Sequence, residues 1–232
     1  MLTTHHVSAI LPRIATKCFL ATTELFRDVP AEALKGIEPK MVERKFSKHE
    51  TVFMEGDPSE SVWFVKEGYV KAETHAASGR CQTLCMVGAK QMFGSCCSFG
   101  GGDYPCHAVA ETDLVVVSLP MNEFMKILAK FPLVASALVA QLSKRLRQSK
   151  DMQSFEQENV EKRILHILVG LTDQFGNTIP LTRKEIAEMA GTTVETSIRT
   201  FSKLEDQGLV FGVRGKITVK NVQALRDRMG EI

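Results

Sequence analysis

The sequence lacks any apolar run of about 18 residues, the length that a membrane-spanning helix requires. Its N-terminus also lacks the basic and apolar segments of a signal peptide. We therefore expect a cytoplasmic protein with no membrane partner. A strong charge is missing too, because 29 Lys and Arg residues against 27 Asp and Glu residues leave a net charge of +2. This charge does not indicate a nucleic-acid partner by itself, and any basic surface must be local.

Catalytic signatures are also missing. No phosphate-binding loop, paired carboxylates or Ser-His-Asp pattern is visible, and we expect that the protein is not an enzyme. The one enzyme alternative is a small-barrel thiol enzyme with Cys106 as nucleophile and His107 as base. Adjacent residues of a strand point to opposite faces, which argues against that pair.

Six cysteines are present, but in a cytoplasmic chain of this length they are not expected to form a disulfide framework. Cys18 stands alone, whereas five cysteines and His107 lie between residues 81 and 107. Such thiols serve as metal ligands, as redox groups or as small core residues, and the sequence leaves these roles open.

The stretch 181–219 has the pattern of two short helices followed by a β-ribbon. Gly191 suits a left-handed turn between the helices, and Gly208 suits the end of the second helix. Two Thr-x-x-Glu patterns predict a capping box at each helix start: Thr182 with Glu185, and Thr192 with Glu195. Together these features predict a winged helix-turn-helix, a DNA-binding unit.

The second of these helices has two different faces at helical spacing. One face carries Ser197, Thr200, Phe201 and Leu204, and the other carries Val194, Glu195, Ile198, Arg199 and Ser202. In one interpretation Val194 and Ile198 join the core because they are apolar. In the other, Glu195 and Arg199 enter the major groove, where Arg binds guanine and Glu accepts from cytosine, while the two apolar side chains suit thymine methyls. The predicted DNA-binding residues are Arg183, Thr193, Val194, Glu195, Ile198, Arg199, Ser202, Arg214 and Lys216.

From residue 41 to residue 119 the apolar period changes to two, with short β-rich runs separated by turn signals. Strands at this spacing without interleaved helices predict a small antiparallel barrel or sandwich, which can hold a ligand inside.

Residues 121–158 return to helical spacing, with a short helix at 121–129 followed by a long stripe that grows polar toward its end. The stripe is either a helix packed along the barrel or the seam of a parallel dimer. We favour the dimer, and the predicted interface residues are Val134, Leu138, Leu142, Arg145 and Met152. The domain prediction is an effector-sensing β-roll with an N-terminal arm at 1–130, a dimerisation helix and hinge at 131–158, and a winged helix-turn-helix at 159–232.

This order of elements resembles the cyclic-AMP receptor / fumarate-nitrate regulator (Crp/Fnr) family of bacterial transcription factors, from about residue 20 to the end. The motifs that carry the resemblance are VWFVKEG at 62–68, MFG at 92–94, ETD at 111–113, LTRKEIA at 181–187 and VETSIR at 194–199. The resemblance implies an α+β fold with a cyclic-nucleotide-binding-like β-roll. It also implies a homodimer on an inverted-repeat operator, with RNA polymerase as a further partner. Glu195 and Arg199 occupy the family's base-reading positions, Val194 is similar to the fumarate-nitrate branch, and Ile198 departs from both branches.

Cyclic-nucleotide binders of this family clamp the ribose and phosphate with a Glu shortly after the Phe-Gly and with a later Arg-Ser pair. Here Ser95 follows Phe93-Gly94, and the later segment 102–106 reads GDYPC. A buried phosphodiester without a cationic partner is very unfavourable. We therefore expect that cyclic AMP is not the effector.

An iron–sulfur cluster of the family's type is not expected either, because a cubane cluster needs four thiolates and the N-terminal arm offers only Cys18. By resemblance, three roll cysteines and His107 lie near the family's effector cavity, which the dimer helix also meets. The candidate effector residues are Cys85, Ser95, Cys96, Cys106, His107, Gln148 and Ser149. The signal remains open between an oxidant, a metal ion, haem, nitric oxide and a small organic ligand.

Overall fold

The structure is a computed structural model that describes residues 19–75, 81–94, 99, 102–154, 158–213 and 215–231. Its contacts divide the chain into two compact units. The first contains the residues up to Thr74 together with Leu84–Lys144, and the second contains His75–Thr83 together with Arg145–Ile232.

Between Val42 and Pro120 the chain forms two four-stranded sheets, with the strand orders β1-β8-β3-β6 and β2-β7-β4-β5. All the recorded strand pairings are antiparallel, which confirms the predicted β-roll. The strands are β1 (Val42–Phe46), β2 (Thr51–Phe53), β3 (Ser61–Glu67), β4 (Val70–His75), β5 (Cys81–Val87), β6 (Met92–Phe93), β7 (His107–Ala110) and β8 (Leu114–Pro120).

Strand β3 is buried on both faces, which explains its run of four apolar residues. Trp63 and Val65 point into a roll interior between the two sheets. This roll interior consists of Phe46, Phe53, Trp63, Val65, Val70, Val87, Phe93, Tyr104, Ala108, Ala110, Leu114 and Val116. Val62 and Phe64 alternate with them and join a second cluster, the helix-side core. It consists of Leu20, Leu25, Phe26, Val29, Leu34, Val62, Phe64, Met92, Leu119, Phe124, Ile127, Val134 and Leu138.

The helix-side core includes residues of the 3-10 turns Phe19–Thr22 and Glu24–Phe26 and is packed against three helices, and a third 3-10 turn, Glu38–Lys40, precedes β1. These helices are α1 (Ala31–Leu34), α2 (Met121–Lys130) and α3 (Pro132–Ser154). Among the described residues, no single helix is long and apolar enough to cross a membrane. The pair formed by α2 and Pro132–Ser143 meets that criterion only when the two segments are joined across a bend of 113°.

The burial of residues at the start of α3 differs from what the predicted dimer seam requires. Val134 and Leu138 are 1% and 4% exposed, and they are part of the helix-side core of their own chain. The prediction that these two side chains meet a second copy is therefore wrong. Leu142 is partly buried against the same core. An apolar stripe at helical spacing shows that one face is buried, but not which chain buries it.

The other predicted seam residues, Arg145 and Met152, belong to the part of α3 whose side chains lie outside the described residues. On the face of α3 that the core does not cover, Leu133 is 64% exposed and Val139 is 62% exposed. These two apolar side chains are available to a partner.

The second unit is a winged helix-turn-helix, as the sequence predicts. Its elements are α4 (Val160–Phe175), β9 (Thr178–Ile179), α5 (Arg183–Met189), α6 (Val194–Asp206), β10 (Val210–Val213), β11 (Lys216–Val219) and α7 (Val222–Glu231). The strands form a sheet with the order β10-β11-β9, and β10 pairs with β11 as the antiparallel wing.

Candidate nucleic-acid interface and effector region

Helix α5 begins at the first predicted capping box. The amide of Glu185 donates to Thr182 Oγ1 at 3.2 Å, and the amide of Thr182 donates to Glu185 Oε2 at 2.5 Å. Two amides that a helix start leaves without an intrahelical partner are satisfied in this way, which fixes where α5 begins.

The second predicted capping box is wrong. Helix α6 begins one residue later than expected, and its N-cap is Thr193, whose hydroxyl accepts from the amide of Thr196 at 3.2 Å. Gly191 has a φ of +58° in the turn, as predicted. Glu195 thus lies inside the first turn of α6, and its carboxylate does not take part in a capping hydrogen bond.

The two faces of α6 separate as the sequence indicates. Ser197, Phe201 and Leu204 are all 0% exposed. The hydroxyl of Ser197 also donates to the carbonyl of Arg183 at 2.9 Å and ties α6 to the start of α5. Val194 and Ile198 are 41% and 43% exposed, so the interpretation that placed them in the core is wrong.

Glu195, Arg199 and Ser202 are exposed on the same side of α6 as these two apolar residues. Within the described part of the chain, no hydrogen bond or ion pair occupies the carboxylate of Glu195 or the guanidinium of Arg199. Both groups, one helical turn apart, can therefore bind an external partner without first breaking an internal contact.

Arg183 is half-buried and has a partner inside the protein. Its Nη2 donates to Glu205 Oε1 at 2.6 Å, and its guanidinium lies 5.7 Å from the centre of the Phe201 ring. The same Glu205 oxygen accepts from the amide of Gly212 at 2.9 Å and so joins α5, α6 and β10. A DNA contact by Arg183 stays a prediction, and the structure adds a role in holding the wing against α6.

Gly212 and Glu205 were missed by the sequence analysis. A Cβ at residue 212 would lie 2.9 Å from both Arg183 Nη2 and Glu205 Oε1. A glycine inside a strand often marks such a close approach, and this was the available signal.

The tip of the wing carries the remaining predicted contacts. Lys216 is exposed at the start of β11, next to Gly215 with a φ of +78°, whereas Arg214 lies outside the described residues. Phe211 and Val213 on β10 are 54% and 52% exposed, and the sequence analysis had not selected them.

Glu161 fixes α6 to its neighbours within the second unit. Its carboxylate accepts from Lys203 of α6 at 2.5 Å and from Arg228 of α7 at 3.1 Å. Partial burial acts to raise the pKa of Glu161. The hydrogen bonds and positive charges of Lys203 and Arg228 outweigh burial and hold the pKa below its ordinary value.

The structure places three of the seven predicted effector residues. Cys85 is exposed on β5, and Cys106 and His107 are half-buried at the start of β7. His107 Nδ1 accepts from the amide of Glu55 at 3.3 Å, and its Nε2 lies 3.8 Å from Glu55 Oε2.

Ser95 and Cys96 lie outside the described residues, as do the side chains of Gln148 and Ser149. In the described part of the chain, no three His, Cys, Asp or Glu residues are grouped so that they could hold a metal ion.

Aromatic rings contact one another in the roll interior, and the sequence analysis did not predict these contacts. The rings of Phe53 and Tyr104 stack with centroids 3.7 Å apart, and Phe93 lies 5.9 Å from Phe53 and 6.2 Å from Trp63. Trp63 Nε1 donates to the Tyr104 hydroxyl at 2.9 Å, which in turn donates to the carbonyl of Ser61. Burial raises the pKa of the Tyr104 phenol above its ordinary value, although these hydrogen bonds oppose the shift.

An open groove of about 210 Å³ lies beside these rings, lined by Arg44, Phe53, Asp57, Pro58, Glu60, Ser61, Trp63 and Tyr104. The guanidinium of Arg44 lies 5.4 Å from the centre of the Trp63 ring. Both charge signs and an aromatic wall meet in this groove, whose volume is below the roughly 300–1,000 Å³ of typical small-molecule pockets.

Two family models match the chain. The cyclic nucleotide-binding domain matches residues 43–131, and the Crp-like helix-turn-helix domain matches residues 162–228. The chain is 28% identical to a cyclic AMP receptor protein of Thermus thermophilus, over 79% of this chain and 86% of the relative. It is 29% identical to a global nitrogen regulator of Synechococcus elongatus, over 87% and 93% of the two chains.

The chain is also 26% identical to the fumarate and nitrate reduction regulatory protein of Escherichia coli K12, over 82% of this chain and 80% of the relative. Among solved structures, FixK2 from Bradyrhizobium japonicum superposes with a TM-score of 0.72 at 24% identity, covering 81% of this chain and 96% of that chain.

Proposed function

Because the chain belongs to the Crp/Fnr family of transcription regulators, we propose that it binds double-stranded DNA through α6 and the wing in response to an effector. The curated relatives are regulators rather than enzymes. The observation that carries the proposal is the solvent face of α6. It presents Glu195 and Arg199 one turn apart, while the opposite face closes the core. Arg and Glu side chains in the major groove distinguish G·C pairs from the other base pairs.

The regulator acts as a homodimer on an inverted repeat, since members of the family act as dimers. Two α6 helices related by a two-fold axis then read half-sites about 34–36 Å apart, which is one turn of DNA. The α3 face with Leu133 and Val139 is the surface that we assign to the second copy. Both side chains are more than half exposed in the single chain, in contrast to Val134 and Leu138. RNA polymerase is the expected further partner.

A direct experiment is selection from a random duplex library, followed by a mobility-shift titration. We expect an inverted repeat with half-site centres about one helical turn apart and a protein stoichiometry of two. Recovery of no preferred sequence, with equal affinity for all duplexes, would refute the proposal.

The effector in this proposal is not cyclic AMP. The segment 102–106 carries no cation, and its Tyr104 ring packs on Phe53 in the roll interior. Ser95 replaces the acid that the family's cyclic-nucleotide binders use after the Phe-Gly. A phosphodiester in this segment would lose its hydration without gaining a charged hydrogen bond.

The signal that we propose acts on the roll thiols, as an oxidant, a metal ion, haem or nitric oxide. The exposure of Cys85 supports this proposal, because a sensing thiol must be reachable. The groove beside Trp63 supports the alternative, a small organic ligand. The pair Cys106 and His107 is not proposed as a catalytic unit, since His107 Nδ1 already accepts from a backbone amide.

An optical spectrum of freshly purified, anaerobic protein tests for haem, and DNA titrations with and without each candidate signal test for the others. We expect Cys106→Ser to alter the response to a thiol-directed signal without loss of folding. An unaltered response in Cys85→Ser, Cys96→Ser and Cys106→Ser would refute thiol sensing and favour the organic ligand.

A further inference from the structure

Arg44 on β1 is a half-buried cation without an anionic partner in the part of the chain that the structure describes. Its guanidinium lies 5.4 Å from the centre of the Trp63 ring, and its Nε is buried without a hydrogen-bond partner there. The rest of the side chain forms no ion pair with a described residue either. A charged group that has lost water costs free energy unless an opposite charge or a hydrogen bond compensates it. The contact with the Trp63 ring compensates only part of this cost, and an anion beside the guanidinium would compensate more.

Two carboxylates line the same open groove without pairing with Arg44. Glu60 is exposed, and its carboxylate makes no hydrogen bond or ion pair among the described residues. Asp57 accepts from the amide of Met54 at 2.8 Å through one carboxylate oxygen, and no described cation pairs with it. An anion alone would meet these two like charges in the groove, and a cation alone would meet Arg44. A ligand that carries both charges satisfies both ends.

The volume of the groove limits the size of such a ligand. About 210 Å³ is the space of about seven water molecules at roughly 30 Å³ each. This space is too small for a nucleotide. It suits a single carbon that carries a carboxylate, an ammonium group and a short side chain, with the rings of Phe53, Trp63 and Tyr104 as the apolar wall.

We propose that the open groove beside Trp63 binds a small zwitterionic α-amino acid, with its carboxylate on Arg44 and its ammonium group on Glu60 and Asp57. Because Nε is buried, the terminal nitrogens Nη1 and Nη2 are the donors that remain, and they can hold a carboxylate through two parallel hydrogen bonds. Of the segments with which the family's cyclic-nucleotide binders hold their ligand, only 102–106 reaches the groove, through Tyr104. The other lining residues lie between positions 44 and 63.

Binding can be measured on the full-length protein without DNA. Trp63 is the only tryptophan of the sequence, so its fluorescence reports on the groove. The protein is titrated with glycine, L-alanine and L-serine, and with two analogues of alanine that each lack one charge, propionate and ethylamine. Isothermal titration calorimetry measures the same affinities independently. We expect saturation by L-alanine with a dissociation constant of about 1 mM or lower, and at least about tenfold weaker binding of each analogue.

Variants of charged residues test the assigned contacts. Arg44→Gln should weaken the binding of L-alanine about 10- to 150-fold, because it removes a charged hydrogen-bond donor. Lys45→Gln is its matched control, since it removes the same charge from the next residue of β1, which does not line the groove. Glu60→Gln should weaken binding about fivefold, because this contact is exposed to solvent, whereas Glu67→Gln on β3 should bind as the wild type does. Thermal unfolding should not change in Glu60→Gln, since the residue is exposed.

The ligand class that we propose specifies the organic-ligand alternative of the proposed function, and in this respect it rests on that function. The affinity for the selected inverted repeat is therefore also measured with and without saturating L-alanine. We expect a change of at least about fivefold in the wild type and none in Arg44→Gln. An unchanged affinity in the wild type would overturn the role of the amino acid as effector.

Absence of saturable binding of all three amino acids at about 10 mM, tenfold above the expected dissociation constant, would overturn the site itself. Equal binding of propionate or ethylamine, or an unchanged affinity in Arg44→Gln, would overturn the assigned contacts. A protein that selects an inverted repeat but binds no amino acid refutes this site alone. Failure to select any preferred duplex, with amino-acid binding intact, refutes the proposed function alone.

Discussion

Leu138 and Val139 are neighbours in α3, but the structure gives them opposite environments, and this difference can be tested. Leu138 is 4% exposed in the helix-side core, whereas Val139 is 62% exposed. Truncation of a buried leucine to alanine removes its transfer free energy and leaves a cavity, with a typical cost of about 2–5 kcal/mol. For a protein of this size, Leu138→Ala should lower the melting temperature by roughly 5–15 °C.

Val139→Glu should leave the folding stability of the single chain nearly unchanged but should weaken the dimer. The charge is solvated in the single chain and should change the stability of the folded chain by no more than about 0.5 kcal/mol. In a dimer that pairs the exposed α3 faces, the two-fold axis brings two such charges together in an apolar contact, and the dimer should dissociate.

Both variants are measured by circular dichroism melting and sedimentation velocity at one fixed protein concentration, because dimer stability depends on concentration. Val139→Ala serves as a control that keeps the surface apolar. A Leu138→Ala protein that melts like the wild type but sediments as a monomer would refute the placement of Leu138 in its own core. A dimeric Val139→Glu would refute the assigned dimer surface.

Three further predictions concern hydrogen bonds inside the two units. Glu161→Gln should lower the free energy of unfolding by about 1 kcal/mol at neutral pH. Because the pKa of Glu161 lies below its ordinary value, the difference in unfolding free energy between the wild type and Glu161→Gln should persist above pH 4.5. It should disappear as the pH falls through the lowered pKa. Chemical unfolding at several pH values measures this difference. Gly212→Ala should displace the flexible ends of Arg183 and Glu205, costing about 1 kcal/mol in unfolding and weakening DNA binding in a mobility-shift titration. Tyr104→Phe leaves a buried indole N–H without its acceptor and should cost about 1–3 kcal/mol, measured by thermal unfolding.

The helices of the second unit could be predicted from the sequence because the signals are local. Helical spacing places Ser197, Phe201 and Leu204 on one face of α6, and all three are buried, whereas the sequence left open whether Val194 and Ile198 join the core. The first capping box also depends on residues three apart. The second failed because Thr192 and Thr193 both suit an N-cap, and the structure uses Thr193.

Contacts between distant residues could not be predicted in the same way. The apolar period around Leu138 correctly indicates a buried face, but the identity of the covering residues depends on tertiary packing. The stacking of Phe53 on Tyr104 joins residues far apart in the chain. The hydrogen bond from Gly212 to Glu205 likewise depends on how the wing folds back on α6.

The central claim, that α6 reads base pairs, is tested most directly by the sequence preference of Arg199→Ala. Affinities of the wild-type protein and the variant are compared on the selected inverted repeat and on duplexes in which each G·C pair is replaced in turn. We expect the variant to bind the selected repeat about 5- to 150-fold more weakly, a loss of about 1–3 kcal/mol, and to lose its preference at one G·C pair per half-site. Uniform weakening on every duplex with an unchanged preference would contradict the claim, because Arg199 would then contact phosphate rather than a base.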